Sequence, residues 1–115
     1  MLVTNRFVVD VDTDATDTFT ERAHAALTAL AARPGYLRGQ LLRALDDPSH
    51  WSMVTEWESV GTYRRALGDF DVKIHSIPLL AESIDEPSAY EVLAGAAPGG
   101  AVVVTASDRA AEPYR

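Results

Sequence analysis

The chain has 115 residues, 47% of them hydrophobic and 23% charged, a composition typical of one globular domain with a single core. A formal net charge of −7 argues against a general nucleic-acid binder, because phosphate contacts need clustered lysine and arginine. Cysteine is absent, which excludes disulfides, thiolate metal sites and cysteine nucleophiles. Neither a signal-peptide layout nor an apolar run of the roughly 20 residues needed for a membrane helix occurs, so we expect a cytoplasmic protein.

The first two predicted elements are a strand and a helix. β-Branched and apolar residues alternate with other residues between positions 2 and 10, which predicts a strand. One face of this strand carries Val3, Asn5, Phe7 and Val9. Thr13 or Asp14 would cap the following helix, and an apolar stripe extends it to about residue 32. Pro34-Gly35 ends it.

Two further strands are predicted at 36–44 and 51–58, joined by a turn at 46–50. One face of the second strand carries Trp51, Met53, Thr55 and Trp57. Arg43 and Glu56 are expected to pair across the two strands.

The remaining chain predicts helices, a short strand and a tail. Ser59 would cap a helix to about residue 67, and a second helical segment over 71–83 would bend at Pro78. A last strand is expected at 88–93. Glycine, alanine and proline dominate after residue 94, so we expect a domain at 1–94 and a tail at 95–115. The tail would be mobile or pair with a partner chain, with 101–105 as a short strand.

The order β-α-β-β-α-β predicts an α+β, ferredoxin-like fold, with a four-stranded antiparallel sheet and helices on one face. The other sheet face carries Leu2, Val8 and Val54 and needs a cover. A second copy of the chain is the simplest cover, so we expect a homodimer.

Four residues draw attention by their chemistry. Asn5 places an amide on an otherwise apolar strand face, where it is either hydrogen-bonded internally or kept for a ligand. Trp57 is a stacking wall for a substrate or a core residue, and Tyr63 binds a substrate phenol or is an ordinary amphipathic residue. His75 is a base at a pocket or an exposed helix residue.

The element order, the Pro34-Gly35-Tyr36-Leu37 stop and the Trp57-Glu58-Ser59 helix entry resemble the antibiotic biosynthesis monooxygenase family of dimeric α+β barrels. The resemblance covers roughly residues 2–93. The family includes cofactor-free quinone-forming monooxygenases, haem-degrading proteins, small-molecule modifying enzymes and members without an assigned role, and a shared fold does not fix the chemistry.

The chain is similar to the branch of monooxygenases that tailor aromatic polyketides, and this implies catalytic roles for Trp57 and Tyr63. Met53 stands where those enzymes carry an upstream asparagine, and Asn5 would take that role from the first strand. The arginine expected further on is absent, and Lys73 and His75 lie in that segment.

The chain also resembles the haem-degrading branch at one position. His75 falls where that branch has its axial histidine, which would be the only protein ligand to the iron. Phe7 occupies the position of the first-strand asparagine, and Ala66 or Leu67 that of the helix tryptophan.

Residues and resemblance together predict a cofactor-independent monooxygenase-type oxidoreductase that acts with O₂ on a small aromatic or quinone-like molecule, without metal, nucleic acid or membrane. Its apolar cleft would lie between the sheet and the helices. The expected catalytic residues are Asn5, Trp57, Tyr63 and His75, and the expected substrate-binding residues are Phe7, Met53 and Tyr90. The alternatives are a haem-binding or haem-degrading protein and a non-catalytic dimeric small-molecule-binding module.

Overall fold

The computed structural model of the chain describes residues 1–107 and contains a four-stranded antiparallel sheet in the order β2-β3-β1-β4. The elements are β1 (Leu2–Val8), α1 (Thr13–Ala31), β2 (Tyr36–Arg43), β3 (His50–Trp57), α2 (Val60–Leu67), α3 (Phe70–His75), α4 (Ile77–Leu80), β4 (Ala89–Tyr90), β5 (Ala94–Gly95) and β6 (Val103–Val104). The predicted α+β, ferredoxin-like fold is confirmed. Within residues 1–107 the sheet does not close into a barrel.

Helix α1 lies across one face of the sheet and begins one or two residues earlier than its sequence predicted. Asp12 is the cap, because its carboxylate accepts a hydrogen bond from the Ala15 N–H at 2.8 Å. The helix buries one stripe of side chains at spacings of three and four. They are Phe19, Ala23, Ala26, Ala29 and Leu30.

The single bent helix expected over 71–83 is two short helices, α3 and α4. Pro78 lies in the first turn of α4, and without an N–H it cannot continue the hydrogen bonding of α3. Ser76 lies at the break and is completely buried. Its hydroxyl donates a hydrogen bond to the Ala26 carbonyl at 2.8 Å, which ties the break to α1.

A bulge in β2 changes the expected pairing with β3. The register shifts between Tyr36 and Arg38, so that Arg38 lies opposite Glu56 and the two side chains form an ion pair at 3.0 Å. The predicted pair of Arg43 with Glu56 is therefore wrong. Arg43 lies opposite Trp51, with its guanidinium carbon 5.0 Å from the centre of the ring.

The sheet face turned away from the helices carries Val8, which is 62% exposed, and Leu42, which is 43% exposed. No helix among residues 1–107 is both long and apolar enough to cross a membrane.

The end of the chain differs from its prediction in length. β4 has only two residues, against the six predicted at 88–93. The strand expected at 101–105 is β6, which pairs with β5 and leaves Val103 and Val104 exposed. Residues 108–115 of the tail that was expected to be mobile lie outside the described residues. The domain boundary at residue 94 remains a prediction.

Gly35 is the position where the backbone most needs glycine, because its φ is +87° and an added methyl would lie 2.6 Å from Thr62 Oγ1. We expect Gly35→Ala to lower the free energy of unfolding by about 2 kcal/mol or more, from left-handed strain plus the clash. Urea unfolding measures this. Gly95→Ala is the control, since its methyl would meet nothing within 4 Å. An equal effect of both changes would contradict this assignment.

Candidate functional site

The two central strands bring Asn5 and Met53 together under the helices. The residues lie directly opposite each other in the β1–β3 register, where side chains of one face contact. Asn5 is 9% exposed and Met53 1%. Phe7, two residues along β1, shares this face and is also buried. Strand alternation therefore collects these three predicted residues on one side of the sheet.

Trp57 ends β3 and lies between two tyrosines. Its ring centroid is 5.4 Å from that of Tyr36, which meets it edge-on, and 5.4 Å from that of Tyr63. The indole is 1% exposed, and its N–H donates a hydrogen bond to Thr55 Oγ1 at 2.8 Å. Trp57 is therefore a fully packed core residue with its polar group satisfied.

Tyr63 reaches Trp57 from α2, whose start is fixed by a capping box. The Ser59 hydroxyl accepts from the Thr62 N–H, and the Thr62 hydroxyl accepts from the Ser59 N–H. Burial raises the pKa of the Tyr63 phenol. The phenol therefore stays protonated at neutral pH and is available as a hydrogen-bond donor.

The buried amide of Asn5 is held only weakly. Its Nδ2 donates to Ser83 Oγ at 3.5 Å, near the limit of a hydrogen bond, while the Ser83 hydroxyl itself donates to the Leu80 carbonyl at 2.7 Å. Asn5 keeps 9% of its surface exposed, and a hydrogen bond of this length is weak. The N–H₂ group of Asn5 is thus available to a ligand oxygen.

His75 does not lie with these residues. It is exposed and borders an outer groove of about 390 Å³ between α1 and α3, together with Asp71. α3 buries Val72, whereas Ile74 is 49% exposed. The expectation that His75 lines the space under the helices is wrong, because Val72 and Ser76 form the buried side of this segment while His75 borders the outer groove.

Tyr90 also lies elsewhere than expected. It is opposite Leu2 in the β1–β4 register, on the sheet face away from the helices, and it is 49% exposed. Its hydroxyl donates to the Pro87 carbonyl at 3.0 Å. Tyr90 therefore does not line the space between sheet and helices.

The residues predicted to form a haem site do not fit haem. His75 borders an open groove that it shares with the carboxylate of Asp71, and it does not reach the aromatic core. In the part of the chain that the structure describes, no group of three or more histidine, cysteine, aspartate or glutamate side chains could hold a metal ion.

Open space lies at the rim of the α/β sandwich. A groove of about 460 Å³ runs between α1 and β2, and a cavity of about 450 Å³ lies near the N-terminal end of α1. Neither these two nor the groove beside His75 is lined by Asn5, Met53 or Trp57. At these three residues the expected cleft is packed.

Sequence reasoning missed the packing roles of two aromatic residues. Tyr36 contacts Trp57 because of the bulge in β2, and no sequence signal marks that bulge. Trp51 was placed on the correct strand face, but its buried Nε1, which has no hydrogen-bond partner, depends on tertiary packing.

The model of the antibiotic biosynthesis monooxygenase family matches residues 2–69. SnoaB, a cofactor-independent oxygenase from Streptomyces nogalater, is 26% identical, with 80% of this chain and 94% of that chain covered at a TM-score of 0.62. Rv0793 from Mycobacterium tuberculosis, 18% identical, covers 96% of this chain and 97% of its own at a TM-score of 0.59, and shares the fold. No curated protein sequence matches the chain significantly.

The two tryptophans offer a matched test of the packing. We expect Trp57→Phe to lower the free energy of unfolding by about 2–3 kcal/mol, because it leaves a cavity and removes the partner of the Thr55 hydroxyl. Trp51→Phe should cost less than half as much, since it removes a buried N–H that has no partner. Chemical denaturation of both variants measures the difference, and the reverse order would contradict the assigned packing.

Proposed function

Because the chain belongs to the antibiotic biosynthesis monooxygenase family, we propose that it is a cofactor-independent monooxygenase acting on a small hydroxylated aromatic or quinone-like molecule. The similarity to SnoaB supports a monooxygenase-type function. The structural observation that carries the proposal is the weakly bonded, buried Asn5 amide beside Met53, on the same sheet face as Trp57. A polar group in that position suits an oxygen atom of a bound aromatic compound.

The substrate would supply the electrons in this reaction. An activated ring CH₂ group loses a proton to water, the carbanion transfers one electron to O₂, and the two radicals combine into a peroxide. The peroxide takes up a proton and loses water, which leaves a carbonyl group. The balance is one CH₂ and one O₂ converted to one C=O and one H₂O, and no external reductant is needed.

The protein would act by positioning and by stabilising charge. Asn5 Nδ2 and the neutral Tyr63 phenol would donate hydrogen bonds to the oxygen on which negative charge collects. Trp57 would pack against the substrate ring and exclude water. His75 borders the outer groove, so it would not act as the base. The substrate would instead lose its proton to water on entry.

Oxygen uptake with a panel of hydroxyarenes that carry an activated ring CH₂ group, corrected for the rate without protein, tests the activity. For an active compound we expect Asn5→Ala to lower kcat by about 10²-fold, the usual effect of losing one oxyanion donor. Val3→Ala is the control, since Val3 is buried on the same strand face and offers no donor. It should lower stability and leave kcat nearly unchanged.

The full burial of Trp57 favours one rival, a non-catalytic binding module. In that case no compound is consumed above the uncatalysed rate, and Asn5→Ala and Trp57→Phe change stability alone. That result would end the monooxygenase proposal.

We also propose that two copies associate through the sheet face away from the helices. Val8 and Leu42 are exposed there, and burying such side chains stabilises association. Two sheets facing each other in this way would form the dimeric α+β barrel that one chain does not close.

Sedimentation equilibrium tests the dimer. We expect Val8→Asp to produce monomers, because it places a charge in the apolar interface. Leu45→Asp is the control, since Leu45 lies fully exposed between β2 and β3 and should leave a dimer. A monomeric wild-type chain, or a dimeric Val8→Asp variant, would contradict this arrangement.

A further inference from the structure

The ring of Tyr36 separates the groove between α1 and β2 from Trp57. Its lining residues are His24, Leu27, Thr28, Ala31 and Tyr36. Tyr36 borders this groove, and its ring also contacts Trp57 edge-on. Because Trp57 is almost completely buried, a ligand in the groove can reach it only if Tyr36 moves.

Two local features give Tyr36 this position. The β2 bulge shifts the register, so that Tyr36 lies opposite Trp57 on the helix-facing side while Arg38 lies opposite Glu56 on the other. Gly39 then leaves room for the tyrosine, since an added Cβ would lie 2.5 Å from the Tyr36 hydroxyl and 3.1 Å from Thr55 Cγ2. The Tyr36 hydroxyl thus occupies the space that a larger side chain at position 39 would fill.

The groove offers polar groups suited to a hydroxylated aromatic ring. Within residues 1–107 the Tyr36 hydroxyl has no hydrogen-bond partner, and neither has the His24 imidazole. Burial raises the pKa of Tyr36, which keeps its phenol a donor. Leu27 and Ala31 add apolar contact surface.

The lining of this groove differs in charge from that of the cavity near the start of α1. That cavity carries the carboxylates of Asp10, Asp14 and Glu82, and its one arginine, Arg22, is paired with Glu82. The α1–β2 groove has no carboxylate in its lining. On a chain of net charge −7, an electron-rich aromatic anion is repelled least where carboxylates are absent.

We propose that the α1–β2 groove binds a planar hydroxyarene or quinone and that Tyr36 is a gating residue, whose ring turns aside to admit the ligand to Trp57. This inference rests on the proposed function only for the reaction that follows entry of the ligand. Binding and gating themselves are measured without turnover.

The experiment follows Trp57 fluorescence in a Trp51→Phe background, with 1,4-naphthoquinone as a planar quencher. In the full chain we expect saturable quenching that develops slowly, because Tyr36 must move first. Tyr36→Ala should speed the quenching at least about tenfold in stopped-flow traces, since the gate is removed. Tyr36→Phe keeps the ring and should remain slow.

Arginine substitutions at two exposed alanines on α1, one inside the groove and one outside it, test the binding site. Ala31 lines the groove, whereas Ala25 lines the groove beside His75. We expect Ala31→Arg to weaken naphthoquinone binding at least about tenfold by filling the groove, and Ala25→Arg to leave it unchanged. Equal effects of the two arginines, absence of saturable quenching in the Trp51→Phe protein, or unchanged kinetics in Tyr36→Ala would overturn the proposal.

Oxygen uptake by the same variants separates this proposal from the enzymatic one. If naphthoquinone binds as described and no compound is oxidised, the binding groove stands and the monooxygenase proposal fails. If a substrate is oxidised at the wild-type rate by Ala31→Arg, the enzyme stands and the groove is not its entrance.

Discussion

The packing of Trp57 between β2 and α2 is the interaction on which the rest of the structure depends. A buried indole removes a large apolar area from water, and here its N–H is also satisfied by Thr55. The Gly35 carbonyl accepts a hydrogen bond from the Glu58 N–H at 2.8 Å, which joins the start of β2 to the end of β3, where Trp57 lies.

Sequence periodicity predicted much of this arrangement, because strand alternation is a local property. It placed Asn5, Phe7, Met53 and Trp57 on the helix-facing side, and the capping preference of serine identified the start of α2. Features that depend on tertiary packing were not predicted. His75 was misplaced because the side of α3 that packs against the core depends on tertiary contacts, and Tyr36 was overlooked because its position follows from a bulge.

The same packing constrains function. The monooxygenase family indicates the class of reaction to expect. In this chain, however, Trp57 is almost completely buried in the aromatic core. For catalysis under the helices, a protein side chain must therefore move away from Trp57 so that the substrate ring can contact the indole. Tyr36 is suited to that exchange because it contacts both the indole and the α1–β2 groove, and Gly39 leaves its hydroxyl unobstructed by a side chain. Asn5 would then supply a donor from within the core.

The most direct test of this account is a crystal structure of the protein with 1,4-naphthoquinone bound. The account predicts the quinone ring against Trp57 and the Tyr36 side chain in a new rotamer. A quinone bound elsewhere, with the Tyr36–Trp57 contact unchanged, would contradict it.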